Sequence, residues 1–218
     1  MYETLPVLTP SEARVLGVLI EKALSTPEYY PLTLNALVAG CNQKSNRDPV
    51  VAYTSEDAQE AADLLCRRGL ATEQSGQHER AVKYRTNLGG AYDLSHAAKA
   101  VVAELLLRGP QTAGELRQRC SRMHAFASVE EVQAVLDELA GRDLPLVASL
   151  PGRREPRWMH RLSGEPDVDA DEAVPARPAT PVGHLADEVA ALREENAALR
   201  DRLDALEAEF RAFRDQFG

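Results

Sequence analysis

Six consecutive side chains able to donate hydrogen bonds, Asn42, Gln43, Lys44, Ser45, Asn46 and Arg47, stand between Cys41 and Asp48. Asn, Gln and Arg are the side chains suited to bidentate contact with base edges, and Lys and Arg seek phosphate. The run reads in two ways. It is a contact loop for nucleic acid or peptide, or it is a turn in which Asn and Ser cap helix ends while Lys44 and Arg47 are solvated. A second cluster is basic. Arg153, Arg154, Arg157 and Arg161 fall within nine residues, beside Trp158 and His160. Arginines on a hairpin commonly track phosphates or a minor groove; Trp158 itself is expected to anchor the hairpin to a core. Lys83 and Arg85 flank Tyr84, and Arg117, Arg119, Arg122 and His124 add further charge.

Neither cluster resembles a catalytic constellation. The chain has no phosphate-cradling glycine loop ending in Lys-Ser/Thr, no dinucleotide fingerprint, no paired-histidine zinc helix and no nucleophile elbow. The five histidines are scattered, and the three cysteines, Cys41, Cys66 and Cys120, stand far apart. Neither a zinc ribbon nor a redox pair is offered. The expectation is a non-enzyme with no cofactor, no metal and reduced thiols, working in the cytoplasm. No basic-then-apolar leader opens the sequence, and no apolar run reaches the ~18 residues of a membrane span. Of the net charge of −9, residues 167–218 carry −7, residues 1–85 carry −2 and residues 86–166 none. A near-neutral body neither demands nor forbids a polyanionic partner.

The elements that must position these clusters occur twice. Thr9-Pro-Ser-Glu12 is a capping box with proline at the first helical position, opening a helix with Val15, Leu16, Leu19, Ile20 and Ala23 on one face. A short helix over Leu34 to Cys41 follows, then a third, capped by Thr54 or Ser55 and stopped at Gly69. Strands near Leu70–Gln74 and Ala81–Thr86, joined around Gly76, complete the first copy. In the second, Ser95 opens a helix stopped by Gly109-Pro110, and Thr112-Ala-Gly-Glu115 caps a short one ending near Cys120. Ser128 starts a third, and strands at Leu146–Leu150 and Arg157–Leu162 flank the turn at Pro151. Thr33 and Cys41 precede Thr112 and Cys120 by 79 residues. The fold class expected is mainly α with small β-hairpins (α+β): two tandem winged helix-turn-helix domains, 1–88 and 89–163, each with three helices and a hairpin.

A Pro-rich acidic linker, 164–183, leads to a heptad over 184–218. Its d positions are Leu185, Leu192, Leu199, Leu206 and Phe213; its a positions are Val189, Asn196, Leu203, Phe210 and Phe217. The g-to-e pairs Glu188–Arg193, Glu195–Arg200, Arg202–Glu207 and Glu209–Arg214 are all opposite in sign. One asparagine at an a position selects an in-register dimer. A homodimer through this coiled coil is the expectation. The residues before Leu185 are acidic, so this is not a basic-zipper DNA reader.

Several contiguous motifs carry a resemblance. Tyr29-Tyr-Pro-Leu-Thr-Leu-Asn-Ala-Leu37, Cys41 through Pro49, Val82-Lys-Tyr84, Leu107-Arg-Gly-Pro-Gln-Thr112 and Pro151-Gly-Arg-Arg-Glu-Pro-Arg157, read in order over Leu8 to Leu162, resemble the YceH-like family of bacterial proteins. The resemblance implies tandem winged helices and supplies no activity.

Two functions remain open at this level. The first is a dimeric, regulatory, nucleic-acid-binding protein using Asn42, Gln43, Lys44, Ser45, Asn46, Arg47, Arg153, Arg154 and Arg157. The second is a scaffold that recruits proteins and touches no DNA. One feature favours the second. The third helix of a winged helix usually enters the major groove N-terminus first, and here those ends read Ser55-Glu-Asp57 and Ser128-Val-Glu-Glu131. Carboxylates suit the helix dipole but repel a duplex carrying one charge per ~1.7 Å.

Overall fold

The computed structural model describes residues 4–75, 81–150 and 155–165. The heptad and all of its linker beyond residue 165 lie outside the described residues, as do Arg153 and Arg154. The protein is of mixed α+β class, with small antiparallel sheets.

The first copy contains α1 (Pro10–Ser25), β1 (Leu32–Thr33), α2 (Leu34–Cys41), α3 (Ser55–Arg67), β2 (Ala71–Gln74) and β3 (Lys83–Thr86). The second contains α5 (His96–Arg108), α6 (Ala113–Arg119), α7 (Val129–Ala140), β4 (Val147–Leu150) and β5 (Arg157–His160), with a short α4 (Leu88–Tyr92) between the two. Every main helix except α4 starts on a hydroxyl cap: Thr9, Thr33, Thr54, Ser95, Thr112 and Ser128 each accept from a backbone N–H one turn on. At α1 the box is reciprocal. Glu12 N donates to Thr9 Oγ1 (3.2 Å) and Thr9 N to Glu12 Oε2 (2.8 Å). Glu12 is fully buried, and its other oxygen receives Arg68 Nε at 2.8 Å, which ties α1 to the end of α3.

The hairpins reveal the repeat more sharply than the helices do. Tyr84 in β3 pairs with Leu32 on one side and Glu73 on the other, giving the sheet order β1-β3-β2. Trp158 in β5 pairs with Ser149 on one side and, through two backbone hydrogen bonds of 3.0 and 2.7 Å, with Gln111 on the other. Gln111 precedes the cap Thr112 just as Leu32 precedes the cap Thr33. Each copy therefore sets a buried aromatic, Tyr84 or Trp158, at the centre of three paired segments. The sequence reading contained both hairpins but neither the third segment nor α4.

The copies do not have separate cores. Met1–Val168 forms one compact unit, and a single apolar cluster runs from Leu8 to Leu162. The expected stripe on α1 is instead burial all round, from Glu12 to Ile20 without a break. The reason is that α1 is sandwiched, with α2 and α3 on one side and α5 on the other. A helix apolar on every face needs partners on every face. Gly17 lets α1 and α5 approach closely: a Cβ there would sit 2.9 Å from the Leu107 side chain.

Candidate functional site

The 42–50 loop is tied down where a contact loop would be free. The Asn42 amide behaves as a backbone surrogate. Its Nδ2 donates to Tyr53 O and its Oδ1 accepts from Tyr53 N, both at 2.8 Å, which closes the loop at its base. Arg47 is buried, with a side-chain exposure of 0 %. Its Nε donates to Gly40 O (3.0 Å), its Nη1 to Asn46 O (2.8 Å) and its Nη2 to Glu21 Oε2 (2.6 Å). Arg14, also buried, donates to Cys41 O (3.2 Å) and Pro49 O (2.6 Å). Asn46 takes a left-handed conformation (φ 56°) that Asn tolerates well, and its Oδ1 accepts from Arg108 Nη1 at 3.2 Å. Asp48 N donates to Leu107 O at 2.9 Å. The loop thus clasps α1 and α5 together. Of its six polar residues, Asn42, Asn46 and Arg47 serve this clasp; Lys44, Ser45 and Asn46 are exposed and Gln43 is half-buried.

Arg157 is half-buried at the base of the second hairpin. Its guanidinium donates to Pro110 O and lies 3.6 Å from Glu115 Oε2. Glu115 also pairs with Arg119 at 3.1 Å, and Arg119 donates to the buried Gln111 Oε1 at 2.8 Å. This polar cluster is less fully bonded than the clasp, since Arg157 Nε and the nearby Glu104 Oε1 are buried without a hydrogen-bond partner. Glu104 within it is buried, and desolvation raises its pKa above the ordinary carboxylate range against the pull of Arg108 and Arg119. Lys83 is half-buried; Arg85, Arg117 and Arg122 are exposed.

An open concave surface that gathers acidic side chains lies elsewhere, along α3. A cavity of about 670 Å³ is bounded by the start of α2, by α3 and by the first hairpin. Leu34, Tyr84 and Val82 give it an apolar floor, and Asp63, Glu73 and Arg67 bring charge. A second cavity, about 520 Å³, shares Leu34, Gln59, Asp63 and Arg67 with the first and adds Glu56 and Glu60. Together they form one groove down the whole of α3. Gln59 braces its middle, donating through Nε2 to Asp63 Oδ1 (2.7 Å) and to the Tyr84 hydroxyl (2.5 Å). Desolvation, with the charges of Glu73 and Asp63 added, pushes both the Tyr84 hydroxyl and the Cys66 thiol up. Cys41, more deeply buried, is pushed up to about 12 by desolvation, so its thiol stays protonated.

Charge on the two third helices has one sign. Helix α3 carries Glu56, Asp57, Glu60 and Asp63 against Arg67; α7 carries Glu130, Glu131, Asp137 and Glu138 and no cation. Hydrogen bonds from Thr54 hold Asp57 below the ordinary carboxylate range, and the Ser128 hydroxyl does the same chiefly for Glu130, so both tips are ionised at neutral pH. The sequence showed these tips but not the groove, because nothing in it brings Glu73 of β2 to the same cavity as Asp63 of α3.

The class defined is a duplicated three-helix-and-hairpin protein with a shared core, presenting acidic helices and an open groove. Residues 8–165 match the family model described as "Protein of unknown function, DUF480", and the chain belongs to that family. It is 48 % identical over 216 residues to a UPF0502 protein of Geobacter sulfurreducens, covering 97 % of this chain and 98 % of that one. A UPF0502 protein of Leptothrix cholodnii is 45 % identical (97 % and 96 % covered), and the UPF0502 protein YceH of Salmonella paratyphi B is 46 % identical (91 % and 95 % covered). The resemblance to the YceH-like family therefore holds over most of the chain. Among the described residues no helix is long and apolar enough to cross a membrane.

Proposed function

We propose that the protein is a non-enzymatic, dimeric recruiting module of the cytoplasm, built of two winged helices that bind other proteins through their third-helix faces. The observation that carries this reading is the charge of α3 and α7, helices that in a DNA-reading winged helix would lie against phosphate. The winged-helix assignment is supported by the three paired segments around Tyr84 and Trp158 in each copy. The burial of Arg47 and the closed bonding of Asn42 also favour it, since they remove two of the strongest base and phosphate contacts from the loop.

Nucleic-acid binding is the second reading, favoured by the exposed cations Lys44, Arg117 and Arg122 and by the arginines at 153 and 154. Titration of a mixed-sequence duplex from about 20 to about 200 mM salt separates the two. The recruiting module gives no saturable binding at the low end. Binding that weakens steeply with salt, with a slope flattened by Arg153→Ala and Arg154→Ala, would return the protein to the nucleic-acid class.

Dimerisation is assigned to residues 185–217 on the heptad and its four matched charge pairs. Light scattering on a chain ending near Ser163 is expected to give a monomer where the full chain gives a dimer. A truncated chain that remains fully dimeric would move the interface onto the body.

A further inference from the structure

We propose that the α3 groove of the first copy seats an extended, lysine- or arginine-bearing segment of a partner protein. This rests on the recruiting reading and makes it specific. The groove joins two chemistries that such a segment needs. Half-buried Leu34 and exposed Val82 line it with apolar surface over the buried Tyr84, and Val82 is 43 % exposed with nothing from this chain covering it among the described residues. A lysine or arginine stem lies well on such a floor, and its head then needs a carboxylate at the end of its reach. Asp63 of α3 and Glu73 of β2 both line the groove and supply one. Further along, Glu56 and Glu60 continue the negative wall past α3's first turn.

Charge complementarity sets the sign of the occupant. Among the described residues, Glu56, Glu60, Asp63 and Glu73 meet only Arg67 as a cation in the groove, so an acidic or phosphorylated segment meets repulsion and a basic one attraction, which at these largely exposed carboxylates weakens as salt is raised. Length sets its form. Helix α3 has 13 residues, about 20 Å, which about six extended residues cover. Helix α7 of the second copy is as acidic, but both cavities of this groove belong to the first. The inference therefore concerns the first copy alone.

The test uses the full-length, isotope-labelled chain and three probes. These are a peptide of about eight residues alternating valine and lysine, its valine–glutamate counterpart, and a short DNA duplex, each titrated while backbone amide shifts are followed. Expected are saturable shifts with the lysine peptide, confined to residues 56–67 and to Glu73 and Val82, with none from the glutamate peptide. The isosteric pair Asp63→Asn and Glu73→Gln keeps the Gln59 hydrogen bond and the fold, and should weaken binding at least about tenfold. Shifts spread equally over α7, or unchanged by the double variant, would overturn the groove and leave the recruiting reading standing. Saturable duplex binding would overturn the recruiting reading itself.

Discussion

Replacing Arg47 by alanine is expected to lower the stability of the folded unit by about 3 kcal/mol. The side chain is wholly enclosed, and its removal deprives Gly40 O, Asn46 O and the Glu21 carboxylate of donors at one stroke. Breaking a buried ion pair from one side costs about 3–5 kcal/mol, chiefly because the remaining charge is stranded. Two features place this case at the lower end. Glu21 keeps 14 % side-chain exposure and has Lys22 at 3.6 Å, and Arg14, whose own pKa is lowered by burial and by Arg47, is relieved of a like charge. For a unit of this size the loss corresponds to a fall in Tm of about 6–12 °C. Lysine should not rescue it, because one ammonium cannot reproduce the planar fork that reaches two carbonyls and a carboxylate. Thermal melts of Arg47→Ala beside Lys44→Ala decide the matter. Lys44 is exposed and its variant should stay within about 0.5 kcal/mol. If both variants melt with the wild type, Arg47 is a free contact residue and the clasp does not exist.

The second large effect is acid sensitivity centred on His160. This residue is 6 % exposed on β5, its Nδ1 has no hydrogen-bond partner, and burial lowers its pKa from the ordinary 6.5 to about 4. The fold therefore holds the neutral ring, while the unfolded chain takes up a proton near 6.5. Its contribution is fully present above that value and is lost as pH falls towards 4, at about 1.4 kcal/mol per pH unit and on the order of 3 kcal/mol in all. His96, depressed by burial and by its neighbour His124, adds a smaller loss of the same sign. Glu104 acts the other way. Its raised pKa means that the fold favours the protonated acid, so stability is regained as pH falls through the raised pKa towards the ordinary carboxylate value, with no further gain below it. Urea unfolding at pH 7 and pH 4.5 should show the loss in the wild type and most of it abolished in His160→Leu. An identical acid loss in the variant would place the sensitivity elsewhere.

Both effects belong to residues whose roles were only half legible in the sequence. The caps Thr9, Thr54, Thr112 and Ser128 were readable because capping is local, and so were the glycine stops. Trp158 was readable as an anchor because a lone Trp on a short hairpin has one economical place to go. Arg47 was not, since its partner Glu21 lies 26 residues away and neither position signals the other. A clue did stand in α1. Arg14 sits within the run Ala13 to Ile20, whose members are almost all apolar, and a charge there must find acceptors from another segment. The same run, like Ala100 to Leu107 in α5, lacks the polar face of a helix that packs on one side only. Read that way, the sequence already held the shared core, which a division into two independent stripes concealed. The groove could not be read at all, because it depends on the registers that set Glu73 and Leu32 on either side of Tyr84.

The central claim is that the faces of α3 and α7 are the presented surfaces and that their charge excludes nucleic acid. It is tested most directly by titrating one duplex, at about 50 mM salt, against the wild type and against a chain carrying Glu56→Lys, Glu60→Lys and Asp63→Lys. The wild type should show no saturable binding. The charge-reversed chain should acquire binding that disappears as salt is raised to about 200 mM. Equal, saturable binding by both chains would contradict the claim, since the duplex would then be held by a surface on which α3 has no part.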